Sequence, residues 1–252
     1  MMRRLTPLLA GVAALSLVGF APAQAQAPLD KAAIEKIVHD YIVANPEVLE
    51  EAMAALEKKQ AAAAAAGHAK TLEEKKSIVF DSTRQVVLGN PKGDVTLVEF
   101  FDYNCGYCKR ALADMLTLID KDPKLRIVIK EFPVLGQGSV EAARVSIAVG
   151  RVAPQKYLDF HKRMLTGRGS ADQAKAMDAA KAAGIDAKAL EAALADKEVS
   201  ATIEEVYGLA SAFGLSGTPS YVVGNQVFAG AIGADKLAAR IAEARCTLTK
   251  SC

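Results

Sequence analysis

The chain has 252 residues, 51% of them hydrophobic and 24% charged, which is ample apolar material for a core and excludes global disorder. Its 31 basic and 29 acidic residues give a formal charge of +2; two of the bases, Arg3 and Arg4, lie in a segment that reads as removable, and the balance left has no global field for nucleic acid or anionic membrane. Eighteen Gly and nine Pro are too few for collagen-like or low-complexity architecture, and four Cys in so long a chain are too few for a small disulfide-stapled scaffold.

Arg3-Arg4 is followed by an apolar run over residues 5–20 and then by Ala23-Gln24-Ala25-Gln26-Ala27. Charged region, apolar region and small-residue cleavage options stand in the order of a secretory signal, with cleavage expected after Ala25. The run contains Pro7 and is short for a membrane span of about 20 residues. Residues 1–25 are therefore expected to be a signal peptide that exports the rest, with a bacterial periplasm as the natural destination, where disulfide chemistry is permitted.

Residues 26–76 form a helical appendage in pattern. Ile34, Ile37, Val38, Tyr41 and Ile42 fall on one apolar stripe. Asn45-Pro46 interrupts it and opens a second helix, Asn at the N-cap and Pro at the first helical position, with Val48, Leu49, Ala52, Met53 and Leu56 on its apolar side. The six alanines at 61–66 favour helix but offer little side-chain area to bury. Two such helices cannot bury their own stripe; they pack on the main domain, associate with another copy, or fray in part, and self-association is the first reading.

Residues 77–252 read as one catalytic domain. The turn cluster at 89–94 precedes a short, apolar, β-rich segment at 95–101, as expected of a strand buried on both faces. Residues 105–119 are helical in pattern and 125–132 form a second buried strand, so the three make a βαβ unit with parallel strands. Residues 139–213 carry several helices and no strand pattern. Two short strands, 220–223 and 226–229, are joined at Gly224-Asn225, a tight hairpin turn, and a helix follows at 234–245. The fold class is α/β: β-α-β, a helical insertion, then β-β-α.

Cys105-Gly106-Tyr107-Cys108 lies where strand gives way to helix. The first sulfur meets unpaired backbone N–H groups and the positive end of the helix dipole, which favour its thiolate, so Cys105 reads as the nucleophile. Cys108, one turn on, is placed to attack a mixed disulfide and release product. An inert bridge is the plain alternative, yet closing four residues constrains the unfolded chain by only about 1.9 kcal/mol. A zinc site completed by Cys246 and Cys252 has weak spacing. Near the C-terminus, Cys246 and Cys252 read as a structural disulfide, with free thiols or an accessory redox pair as alternatives. His39, His68 and His161 do not cluster and read as ordinary helix residues.

The run ending Glu-Phe-Phe-Asp-Tyr-Asn-Cys-Gly-Tyr-Cys-Lys-Arg at Arg110, together with Ser216-Gly217-Thr218-Pro219-Ser220, resembles the thioredoxin-fold, DsbA-type thiol-disulfide oxidoreductases with a helical insertion. The resemblance implies that the Thr218–Pro219 bond is cis, lies against the cysteine pair, and that its backbone pairs with an extended substrate. Tyr107 is expected to shape the substrate surface. Glu99 is a carboxyl in the middle of an apolar strand; burial raises its pKa unless a cation is near. The resemblance implies that it assists proton transfer at Cys108, while a salt bridge to Lys130 is the structural alternative. Asp102 and Lys109 flank the site, either with a role or merely solvated.

Gly-Tyr between the cysteines and Thr before the Pro resemble disulfide isomerases of the DsbC type, and the helical appendage resembles ScsC-like proteins. Isomerase or reductase is thus the first reading, with a monomeric DsbA-like dithiol oxidase or a Cu(I)-binding periplasmic protein as alternatives. The implied partners are exported cysteine-containing client proteins, a membrane electron donor of the DsbD or ScsB type, and further copies of the chain through the N-terminal helices. No nucleic acid, metal or cofactor beyond the Cys105–Cys108 disulfide is called for.

Overall fold

A computed structural model describes residues 30–249. The expected signal peptide and Cys252 lie outside that range. The chain divides into two compact units between Ala55 and Leu56.

The first unit contains α1 (Lys31–Ala44) and the start of α2 (Glu47–Phe80). Asp30 caps α1, its carboxylate accepting from Ala33 N at 2.7 Å. Asn45 ends α1, its N–H returning to Tyr41 O while its backbone leaves the helical region (φ −132°, ψ 66°). α1 buries no residue; Ile37 and Tyr41 on its apolar stripe are more than half exposed. α2 is interrupted at Lys75, whose backbone is non-helical (φ −118°, ψ 15°), one residue before the boundary expected at residue 76; Leu72 and Val79 on either side of this kink are buried. Its carbonyl end is met by two cations: Lys130 Nζ donates to Ile78 O at 3.0 Å and Arg126 Nη1 to Phe80 O at 2.6 Å.

The second unit is a thioredoxin-like fold. A strand absent from the sequence reading, β1 (Val86–Gly89), precedes β2 (Val95–Phe101), α3 (Gly106–Lys121) and β3 (Leu125–Glu131). The insertion follows: α4 (Gln137–Val152), a 3-10 turn (Pro154–Lys156), α5 (Tyr157–Thr166), α6 (Gln173–Ala182), α7 (Ala187–Leu194) and α8 (Lys197–Ala212). Asp172, Asp186 and Asp196 cap α6, α7 and α8. β4 (Ser220–Val223), β5 (Gln226–Ala229) and α9 (Ala234–Thr249) complete the chain.

The sheet order is β1-β3-β2-β4-β5. β2 and β3 run parallel with Val95 opposite Leu125, while β4 lies antiparallel on the other side of β2. Gly224 turns the β4–β5 hairpin at φ 56°, a left-handed conformation that favours glycine. Strand alternation splits the core. Leu97, Phe101, Ile127, Ile129 and Tyr221 pack toward α3, α9 and the insertion, whereas Val98, Phe100, Val128 and Val222 pack against α8 and the end of α2. β2, buried on both faces, therefore holds the segment just before the cysteines in a fixed place. Among the described residues no helix is long and apolar enough to cross a membrane.

Candidate active site

β2 ends at Phe101 and α3 begins at Gly106, so Asp102 to Cys105 form the corner between them. Cys105 is the N-cap of α3 with extended backbone (φ −75°, ψ 117°), and its carbonyl accepts the first-turn bond from Lys109 N at 3.1 Å. No side chain caps the turn, which leaves its leading N–H groups open to an anion at the Cys105 sulfur. Both cysteines are free thiols. Cys105 retains 7% of its surface and Cys108 only 1%, so of the two Cys105 is the more accessible.

The Thr218–Pro219 peptide bond is cis, and Cys105 Sγ donates to Thr218 O at 3.1 Å across 113 residues of sequence. The two motifs separated in the chain thus meet at one sulfur. Tyr107 is 58% exposed, with the Arg110 guanidinium 4.3 Å above its ring. Burial pushes the Cys108 thiol well up, opposed by the Asp102 backbone N–H and the Thr218 side chain.

Glu99 lies on the same face of β2 as Leu97 and Phe101, opposite Ile129 and Tyr221. Burial pushes its carboxyl up to about 8; a hydrogen bond from Tyr221 pulls it down and Asp114 adds to the rise. Its charge acts on Cys108. The alternative ion pair with Lys130 does not form. Lys130 is opposite Phe100 in the parallel register, so its side chain leaves by the other face of the sheet and bonds Ile78 O. That lysine is itself pushed down to about 8 by burial.

Sequence reasoning missed several residues. Tyr221 holds Glu99 but lies 122 positions on, where no local pattern connects the two. Asp102 is buried rather than solvated: its carboxylate accepts from Asn104 N (2.7 Å), Ser139 Oγ (2.8 Å), Val134 N (2.8 Å) and Leu135 N (3.0 Å). His161 is no ordinary helix residue. Its Nδ1 pairs with Tyr103 OH at 3.0 Å, which pairs with Ser146 Oγ (2.8 Å), then Tyr157 OH (3.0 Å), which donates to Glu131 Oε1 (3.1 Å). Burial holds His161 down at about 3 and pushes Glu131 well up, so desolvation favours the neutral form at both ends of this chain. His68 Nε2 donates to Phe213 O at the end of α8. Cys246 on α9 is disulfide-bonded, which removes it from the four-thiolate zinc reading; its expected partner Cys252 is outside the described residues.

Comparisons with known proteins agree with this geometry. The DSBA-like thioredoxin domain model matches residues 96–242, and the copper resistance protein ScsC N-terminal domain model matches residues 30–63. The chain is 39% identical to a thioredoxin-like oxidoreductase from Silicibacter pomeroyi, covering 67% of this chain and 96% of that one with a TM-score of 0.64. It is 27% identical to a linker-deletion mutant of ScsC from Proteus mirabilis, covering 88% and 100% with a TM-score of 0.67. Disulfide bond formation protein D of Bacillus subtilis is 32% identical over 93 residues, 35% of this chain and 42% of that protein. The chain spans less than half the length of the curated relatives it matches.

Proposed function

The chain belongs to the DSBA-like thioredoxin family, and from that premise we propose that it is a periplasmic thiol-disulfide isomerase or reductase acting on protein disulfides through Cys105 and Cys108. The observation that carries the reading is the position of Cys105 Sγ, at the open start of α3 and 3.1 Å from the carbonyl that precedes cis Pro219.

The Cys105 thiolate attacks one sulfur of a client disulfide. A Cys105–client bond forms, the old S–S bond breaks, and the other client sulfur leaves as a thiolate that takes a proton from water. Cys108 then loses its proton and attacks Cys105 Sγ; the Cys105–Cys108 bond forms and the client departs reduced by two electrons. Glu99 is the buried group that exchanges the Cys108 proton, since burial has brought it to about 8. In isomerisation the freed client thiolate attacks elsewhere in the client, whose new pairing releases Cys105 with no net electron transfer. Thr218, Pro219 and Tyr107 form the surface on which the client chain lies. The Cys105–Cys108 disulfide is the redox group, and the oxidised enzyme is returned to the dithiol by a membrane donor of the DsbD or ScsB type.

The exposed stripe of α1 supports self-association through the N-terminal helices, and the secretory pattern of residues 1–25 supports the periplasm. An oligomer presenting several sites to one client favours isomerase over monomeric oxidase. Refolding of scrambled ribonuclease A, together with insulin reduction, tests the proposal. Active enzyme is expected to restore ribonuclease activity, and Cys105→Ser to fall below about 0.1% of the parent in both assays. Reoxidation of reduced ribonuclease without unscrambling would overturn it in favour of the oxidase.

A further inference from the structure

Three consecutive residues at the corner before Cys105 send their side chains into the helical insertion. Asp102 holds Val134 N, Leu135 N and Ser139 Oγ. Tyr103 reaches Ser146 and His161. Asn104 closes a two-way amide clasp on the loop between α5 and α6: its Oδ1 accepts from Ala171 N at 2.6 Å, while its Nδ2 donates to Ala171 O and Ser139 Oγ, both at 2.9 Å. The same loop is gathered by Lys175 Nζ, which donates to the carbonyls of Gly167, Arg168 and Gly169 at 3.1–3.2 Å. Two loops, at residues 132–136 and 167–172, are thereby fastened to the three residues that precede Cys105.

Between these loops opens a cleft of about 530 Å³, walled by Asn104, Lys109, Leu135, Gly138 and Gly169 to Asp172, a volume in the range of ligand sites. Thr218 and Pro219 are not among its walls. Leu135 is 53% exposed at its edge, an apolar side chain with water on one side. The wall carries one cation, Lys109, and one acid, Asp172. The Lys109 and Lys175 charges act on one another, and Arg110 stands on Tyr107 nearby. The acid on the wall, Asp172, is engaged as the cap of α6, and the Asp102 carboxylate is buried and fully bonded.

We propose that this cleft is a client subsite, taking an extended segment beside the reacting cysteine with an acidic side chain toward Lys109 and an apolar one against Leu135, its walls held by Asp102 and Asn104 as positioning residues. The proposal rests on the thiol-exchange reading and adds to it a preference for client sequence.

Reduced full-length protein is reacted with three disulfides: hydroxyethyl disulfide, which is too small to need the cleft, and two synthetic peptide disulfides that differ only in carrying Glu or Lys on both sides of the cysteine. Each variant's peptide rates are divided by its own hydroxyethyl disulfide rate. In the parent the Glu peptide is expected to react about fivefold faster than the Lys peptide at low salt, as one attraction exchanged for one repulsion at an exposed charge allows. Lys109→Glu is expected to erase or invert that ratio, and Leu135→Ser to lower both normalised rates about threefold. Asn104→Ala is expected to raise peptide KM about fivefold at unchanged kcat and to speed amide exchange at residues 167–171. A ratio near one in the parent, a ratio that survives Lys109→Glu, or an Asn104→Ala loss shared equally by hydroxyethyl disulfide would overturn the subsite. Failure of the parent to react with hydroxyethyl disulfide would instead overturn the thiol-exchange reading beneath it.

Discussion

α1 and β2 are both apolar segments, yet they end in opposite conditions. Six of the seven residues of β2 are buried, since the strand has a packed layer on each face, whereas α1 buries none of its fourteen. β2 finds its partners within its own unit and so can fix a neighbouring sulfur to within a hydrogen bond of Thr218. Among the described residues of its unit the apolar stripe of α1 has no such partner. The cysteine pair resides on the self-sufficient unit, and the proposed assembly falls to the one that is not.

The sharpest way to break the contrast is to damage the packed side of it. Phe100→Ala removes a fully buried ring that contacts Phe132 edge to face and is expected to cost about 3–5 kcal/mol of stability, read by urea unfolding. A matching truncation in α1 should cost the isolated chain far less.

Glu99→Gln tests whether β2 carries one residue for chemistry rather than packing. Burial has raised this carboxyl from 4.5 to about 8, so the native state keeps a proton that the unfolded chain releases. The parent therefore loses stability as pH rises from about 4.5 to about 8. Glu99→Gln is expected to be more stable than the parent above pH 8, by a few kcal/mol at most on the order implied by the shift, with the advantage gone near pH 4. Its release of client by Cys108 should slow about tenfold, and the parent's rise in that rate toward pH 8 should flatten. Stability gained with activity lost is the expected signature of a group kept for its proton.

The smallest effect is expected on the other side of the comparison. Ile37→Asp combined with Tyr41→Asp puts two charges on the α1 stripe and should lower the mass measured by analytical ultracentrifugation to that of one chain. Unscrambling of ribonuclease should fall about fivefold, through the loss of local site concentration alone. The mass of one chain in both parent and variant would remove self-association from the account, and an oligomer mass in both would remove the α1 stripe as its seam.

The parts legible in the sequence were those with a local period or a fixed motif. The β2 segment at 95–101, the start of α3 at the cysteine pair, and the β4–β5 hairpin at Gly224-Asn225 each carry their signal within a few residues. β1 escaped because four residues ending in a turn glycine lack a period; pairing with β3 makes them a strand. The burial of Leu72 and Val79 near the end of α2 was not legible because the residues that cover them lie far along the chain. The same distance hid Asp102, Asn104 and His161, whose partners lie 32 to 67 positions away. A polar residue that looks solvated in one dimension becomes a clasp only once the insertion folds over it.

The central claim is that Cys105 attacks and Cys108 resolves. Reduced native protein treated with limiting iodoacetamide at pH 7, then digested and mapped by mass spectrometry, tests it most directly. The label is expected almost wholly on Cys105, with Cys108 protected by burial and by a thiol held in its protonated form. Label arriving first on Cys108, or equally on both, would contradict the account.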